Sequence, residues 1–510
     1  MIDKSSNVIL NLIGTIFLSC IFLLGLNMTV VANNVDADFK VKISTGRFEV
    51  STLLKGVGSD IVYIRFRNQG VGKENVDKRI KEIHANTLHG KKLTIKRINN
   101  SKKIYSIRTL GKEEIKINYT LNPDVSWWDH HFSVIDENNI YIPIEYFIFE
   151  AYSDVNCNNF IYNNVKFYFS DLPKDWEILT TCPVNSNGSV DIKSTKSIIH
   201  AGKYSIEKIK KGDNVFKIAI NDDLDINKDE YLRELKKIID YQYTIFGKYI
   251  YQDALIVINS KPDYNFFFNF GGQVKDKSNV IIFTSDLSES PDNESEFLAH
   301  FAHETFHLWL PESFELKENM YWFTEGFTKY QEFRILWKLG IINQEEFHKM
   351  LTEEYVTLEK IQEKKRISLI ESGKYVFKNN DYRILNYSKG SLVAHLLAEK
   401  LNSKDKSFEG LMRFIHNKYA KEIIPIGSDE VVSAINNYLG DSEFTKKWIV
   451  DYQKISEKDI EKIQPYIKKE RLKQFLVNPP LFVRLLVIVV GFLILFVVIK
   501  KLYIKSKYNQ

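Results

Sequence analysis

Ser295-Glu-Phe-Leu-Ala-His300-Phe-Ala-His303-Glu304-Thr-Phe-His307, followed by Trp322-Phe-Thr-Glu325-Gly326-Phe327, is the stretch that decides how this chain is read. His303 and His307 are four residues apart, so on a helix their side chains stack one turn apart on one face. Two imidazoles placed this way can fill two corners of a zinc tetrahedron, and Glu304 between them is placed to take a proton from water at the metal. A third ligand is needed. Glu325 supplies it, because Asn319-Met-Tyr-Trp-Phe-Thr-Glu325 begins a second helical pattern after the break at Pro311. Two histidines and one carboxylate leave a fourth position open, which marks a catalytic zinc site and not a closed structural one. His300, one turn before His303, reads as packing or support, since the open position must stay open. Glu332, in the helix after Glu325, reads as support behind the ligands or, more simply, as a solvated helix position.

A His-Glu-x-x-His match also occurs in unrelated helices, so alone it decides little. Together with Trp322-Phe-Thr-Glu325-Gly326-Phe327, however, it resembles the gluzincin metallopeptidases of the alanyl and glycyl aminopeptidase families. The resemblance implies His303, His307 and Glu325 as zinc ligands and Glu304 as general base. His307-Leu-Trp309 is similar to the His-x-Trp of the glycyl side. Leu385-Asn-Tyr387-Ser-Lys389-Gly390 is similar to the Tyr-x-Lys-Gly of the alanyl side, which implies that Tyr387 donates to the tetrahedral oxyanion. These families also carry a Gly-x-x-Glu segment whose glutamate holds the substrate's free α-amine. Here Val274 stands in that place, with Asp276 two residues on. Aminopeptidase specificity is therefore in question, although peptide hydrolysis is not. The resemblance runs from about residue 34 to 452.

The glycines Gly271 and Gly272 precede this departure. Two glycines before a strand allow close backbone approach beside a bound peptide, or simply a hairpin bend. Both readings stand, and the candidate substrate contacts are Gly271, Gly272 and Asp276.

The chain has 510 residues, room for about three domains. At 44% hydrophobic and 26% charged it is an ordinary globular composition. The net charge of +5 is small, and no long basic block stands outside the C-terminal tail, so no nucleic-acid partner is expected. Of three cysteines, Cys20 lies in an apolar run. Cys157 and Cys182 are either a disulfide pair or two buried thiols, and sequence leaves both open.

In chain order, residues 1–32 read as a secretory signal or an uncleaved anchor: Lys4, then an apolar run from Val8 to Leu26 and small residues near Ala32. From 34 to 220 the pattern alternates, as in Val62-Tyr-Ile-Arg-Phe-Arg67 and Ile115-Lys-Ile-Asn-Tyr-Thr120, with turn clusters between, and predicts a β-sandwich. Its aromatic residues read as core, with Trp127 and Trp128 the one pair to watch. Residues 221–345 read as a thermolysin-like α+β zinc peptidase domain, with a helix over Tyr231–Phe246 and strands at Leu255 and Val280. That domain runs into a helical region at 346–467. Residues 481–499 are almost wholly apolar, long enough to span a bilayer core. Lysines in the tail 500–510 place it in the cytoplasm.

The expectation is a multidomain α and β protein that is a membrane-anchored zinc metallopeptidase, using Zn2+ to cut a peptide or protein substrate outside the cytoplasm. Two rivals stand beside it. One is an inactive relative that binds extracellular peptides or proteins, and the other a zinc hydrolase of a different amide or ester.

Overall fold

The computed structural model describes residues 35–477, apart from 45, 68, 71–72, 75, 100–103, 124–133, 136–137, 159, 252, 261–269, 276–278, 285–290 and 421–424. The leader at 1–32, Cys20, Trp127, Trp128, Asp276, the apolar stretch 481–499 and the tail 500–510 lie outside the described residues. Among the described residues, no helix is long and apolar enough to cross a membrane.

The chain forms two compact units, Met1–Ala201 and Gly202–Gln510. The first is β-rich. In its opening strand, Val35–Ser44, residues Val35, Ala37, Phe39 and Val41 are buried while Asp36, Asp38 and Lys40 are not, the period-two pattern of a strand with one buried face. That strand lies inside a six-stranded sheet, antiparallel to Arg47–Lys55 and parallel to Tyr162–Phe169. Two four-stranded sheets stand with it, and Gln69–Gly70 pairs with Lys73–Glu74 in a two-stranded ribbon. The three larger sheets feed one core: Phe39, Val50 and Ile117 from the six-stranded sheet, Ile64 and Ile107 from one four-stranded sheet, and Ile142 and Ile199 from the other. Among the described residues, that core is thus shared by three sheets and not by the two of a simple sandwich.

Cys157 and Cys182 are free and buried, so the disulfide reading falls. Cys182 packs in the main core, whereas Cys157 sits in a small separate cluster with Ile104 and Tyr152.

The second unit begins earlier than the pattern predicts, at Gly202 and not at 221. The strands Tyr204–Lys211 (β1) and Asn214–Asn221 (β2) form a hairpin, and β2 pairs in parallel with Asp253–Ser260 (β3). Alternating residues look alike whichever sheet they join, so the boundary was not legible from their period. With Phe270–Lys275 (β4) and Asn279–Thr284 (β5), the sheet order is β1-β2-β3-β5-β4. β4 is therefore an edge strand.

The helix α1 (Lys228–Phe246) starts where the Asn227 side chain accepts from the Glu230 amide, a standard N-cap. It packs against α2 (Pro291–Phe306), with Gln242 donating to the Ala302 carbonyl at 2.7 Å. At the ends of both helices, Trp309 stacks on Phe246 at 5.7 Å between centroids and 12° between planes. Burying one large apolar side chain such as Phe306 contributes roughly 1.5–3 kcal/mol. The longer helices that follow include α3 (Gly326–Lys338), α4 (Gln344–Gln362), α5 (Gly390–Asn402), α6 (Phe408–Tyr419) and α7 (Ser428–Leu439). Their buried residues join those of the sheet in one continuous core. The regions 221–345 and 346–467 are accordingly one folding unit and not two.

Candidate metal centre

The functional side chains converge where α2, α3 and the turn before α5 meet. His303 lies in the last turn of α2. His307 follows the helix end, but its amide still bonds the His303 carbonyl at 3.3 Å, so the one-turn stacking expected of the pair is kept. Glu325 stands at the junction between the single turn Tyr321–Thr324 and α3. One donor atom from each of His303, His307 and Glu325 lies within 4.8 Å of the others.

The histidines are oriented by groups behind them. His303 Nδ1 is 2.6 Å from Glu332 Oε2, and His307 Nδ1 donates to the Leu310 carbonyl at 2.8 Å. Both rings therefore turn Nε2 inward, where Glu325 Oε2 lies 3.3 Å from one and 3.5 Å from the other. Backing each ligating imidazole with an acceptor fixes its tautomer and raises its basicity toward a metal. Glu332 is 4% exposed, which corrects its reading as a solvated position. The signal was present: Glu332 is two turns after Glu325 and hence on the same face of α3.

The charges of the centre call for a cation. Burial alone would lower the His303 pKa, but its hydrogen bonds to Glu325 and Glu332 prevail and push it up to about 10. Burial raises the Glu325 carboxyl, yet His307 and His303 hold it well below the usual carboxylate range. Glu332 behaves alike: burial lifts it, and Lys329 and then His303 bring it down. A zinc ion meets the same demand for positive charge with two nitrogens and one oxygen, the donor set suited to it. The residues fit the metal.

Glu304 is nearly buried beside the ligands, and burial raises its pKa, the direction a general base needs. The neighbouring backbone is shaped to it. A β-carbon placed on Gly272 would come within 2.5 Å of Glu304 Cγ and 2.9 Å of His300 Nε2. Gly272 thus sits in β4 because a side chain there would displace Glu304, which favours close approach over the simple bend. Val274, two residues on, lines the same cleft, which has a volume of about 870 Å³. Gly271 is in β4, and Asp276 lies outside the described residues.

Tyr387 enters from a π-helical turn, Leu385–Lys389. Its ring lies parallel to that of His303, 6.5 Å away, and lines the same cleft as Glu304 and Glu325. Two glycines bring it there. A β-carbon on Gly326 would meet the Asn386 carbonyl and the Gly390 Cα at 2.6 Å, and one on Gly390 would meet the Gly326 Cα at 2.8 Å. Backbone crosses backbone at that point, so the glycines after Glu325 and Lys389 are what let ligand and tyrosine face each other. π-turns inside helices are frequent at functional sites.

Two histidines and a glutamate around an open position, with a buried carboxylate against the substrate strand, define a zinc-dependent metallopeptidase. Residues 231–448 match the Peptidase family M1 domain, in agreement with the resemblance to gluzincin aminopeptidases. An aminopeptidase N family protein from Idiomarina loihiensis has a similar fold, with a TM-score of 0.69 at 18% identity over 84% of this chain and 78% of that one. An M1 zinc metallopeptidase from Deinococcus radiodurans gives 0.47 at 12% identity, over 83% of this chain and 95% of that one. A mutant of an M1 zinc metallopeptidase from the same organism, bound to a Tyr-Ser-Ala substrate, gives 0.46 at 11% identity over the same shares. The last two scores are too low to bear on the fold. No curated protein matches by sequence.

Proposed function

We propose that this chain hydrolyses peptide bonds at the His303, His307 and Glu325 centre and works outside the cytoplasm, held to the membrane by its C-terminal stretch. The observation that carries the hydrolytic reading is the placement of Glu304, buried between the two ligand histidines and pressed against Gly272 of the edge strand. Held by those three residues, zinc supplies Lewis acidity to the scissile carbonyl and to the attacking water. Glu304 takes the proton from the water and later returns it to the leaving amine. Tyr387 donates its hydroxyl proton to the developing oxyanion; burial raises its pKa, so it stays protonated and able to donate. The outer edge of β4 offers backbone groups to an extended peptide lying across the cleft.

Specificity follows from the wall of that cleft. Val274 is partly buried and lines it, so the strand presents an apolar side chain where an α-ammonium would need a carboxylate. The substrate is accordingly a peptide whose recognition does not depend on a free N-terminus.

Zinc content and peptide hydrolysis, measured on the wild type and on Glu304→Gln, test the hydrolytic reading. One zinc per chain in both, with hydrolysis lost in the variant, supports it. A variant as active as the wild type removes it. Membrane placement rests on the apolar run 481–499 and the lysines of the tail. Protease added to intact cells should cut the central region and spare a C-terminal tag, and protection of the central region would reverse the topology.

A further inference from the structure

Of the lysines that line the cleft, Lys329, Lys349 and Lys473, the first reaches the carboxylate behind a ligand histidine. Lys329 lies on α3 at one turn from Glu325 and nearly one turn before Glu332, so all three share a face of the helix. Its ammonium contacts Glu332 Oε1 at 2.6 Å, while the other oxygen of Glu332 holds His303 Nδ1 at 2.6 Å. On the opposite side the ammonium lies 3.8 Å from Glu354 on α4, and the Phe333 ring is 4.8 Å from it. The helix that carries Glu354, α4, packs directly against the turn Leu385–Lys389 that holds Tyr387.

We propose that Lys329 is a positioning residue that locks the metal-ligand histidine and the Tyr387 turn into one frame. This rests on the metal-centre reading given above. Glu332 and Glu354 approach from different helices and carry like charge in a largely buried setting. With no cation between them they repel, and separation of α3 from α4 has two consequences. Glu332 leaves His303, which loses the acceptor that fixes its tautomer. α4 moves with Glu354 and loosens the turn that holds Tyr387. One ammonium therefore supports two parts of the centre that come from different elements. The flexible lysine stem places a compact charge between two carboxylates, a task different from the planar bidentate grip of arginine.

The test separates these two arms. Zinc affinity is measured by chelator competition, which needs no turnover, and kcat and KM are measured per bound zinc. Lys329→Met should weaken zinc binding about tenfold or more, the usual cost of losing support behind a ligand, and should lower kcat with KM nearly unchanged. Glu354→Gln keeps the shape but loses the charge that draws in the ammonium. It should leave zinc affinity within about twofold and still lower kcat. The double variant should be no slower than Lys329→Met alone, because both changes break one link. Wild-type zinc affinity in a folded Lys329→Met protein overturns the proposal. So does wild-type kcat in Glu354→Gln, which remains decisive if Lys329→Met fails to fold. If the wild type binds zinc but hydrolyses no peptide, the peptidase reading fails while the zinc-affinity arm still decides the role of Lys329.

Discussion

Gly272 lies so close to Glu304 that no side chain fits between them; a β-carbon there would stand 2.5 Å from Glu304 Cγ and 2.8 Å from its Cδ. The clash is near the root of the glutamate and not at a freely moving tip, so Glu304 would have to change rotamer. Gly272→Ala should lower kcat by roughly 10- to 100-fold, the scale of an ångström-sized misplacement of a reacting group. Zinc content should be unchanged, because His303, His307 and Glu325 do not touch that position. Steady-state kinetics with metal analysis checks this, and wild-type turnover would show that the close approach has no catalytic meaning.

Tyr387 meets the centre only because Gly326 and Gly390 let two helix starts cross backbone to backbone. Tyr387→Phe keeps the ring packed against His303 and removes the hydroxyl. Loss of one oxyanion donor typically costs about 10²–10³ in kcat. The expected result is a loss of that size with KM within about threefold. A main effect on KM would instead place Tyr387 in ground-state binding.

Val274 predicts how the enzyme treats blocked peptides. Acetylating the N-terminus of a peptide substrate should change kcat/KM by less than about tenfold, that is by less than about 1.4 kcal/mol of transition-state binding. Single N-terminal residues should be released poorly from short reporters. A larger loss on acetylation would reveal an amine anchor, and Asp276→Asn would then be the first variant to compare.

His395 makes part of the stability depend on pH. It is buried on α5 beside Tyr330 and Phe347, and burial, partly opposed by Glu399, lowers its pKa from 6.5 to about 4. In the unfolded chain it takes a proton near pH 6.5, whereas the folded chain resists protonation until about pH 4. Its contribution is thus fully present above pH 6.5, falls as pH drops toward 4, and is then exhausted. The span corresponds to roughly 3 kcal/mol at most. Thermal melts from pH 7 to 4 should show a smaller decline for His395→Leu than for the wild type. Parallel curves would mean that the imidazole is already solvated when folded.

The sequence alone brought His303, His307 and Glu325 together as candidate ligands, because helical spacing is a local property. His303 and His307 share a face whatever surrounds them, and Glu325 opens the next helix. It likewise determined that the N-terminal half is built of strands, since alternating burial is written residue by residue. What only the tertiary structure decided is which distant residues serve those local patterns. Whether Glu332 faces solvent or backs a ligand is open in the sequence until His303 turns toward it and Lys329 meets its other oxygen. The first unit ends at Ala201 because β1 and β2 pair with β3, and period-two residues do not say which sheet they will join. The two cysteines stay apart because they fall in different clusters, which no count of thiols could show. The approach of Gly272 to Glu304 and of Gly326 to Gly390 depends on how close two backbones come. That distance is set by packing between elements far apart in the chain, and a glycine in the sequence only permits it.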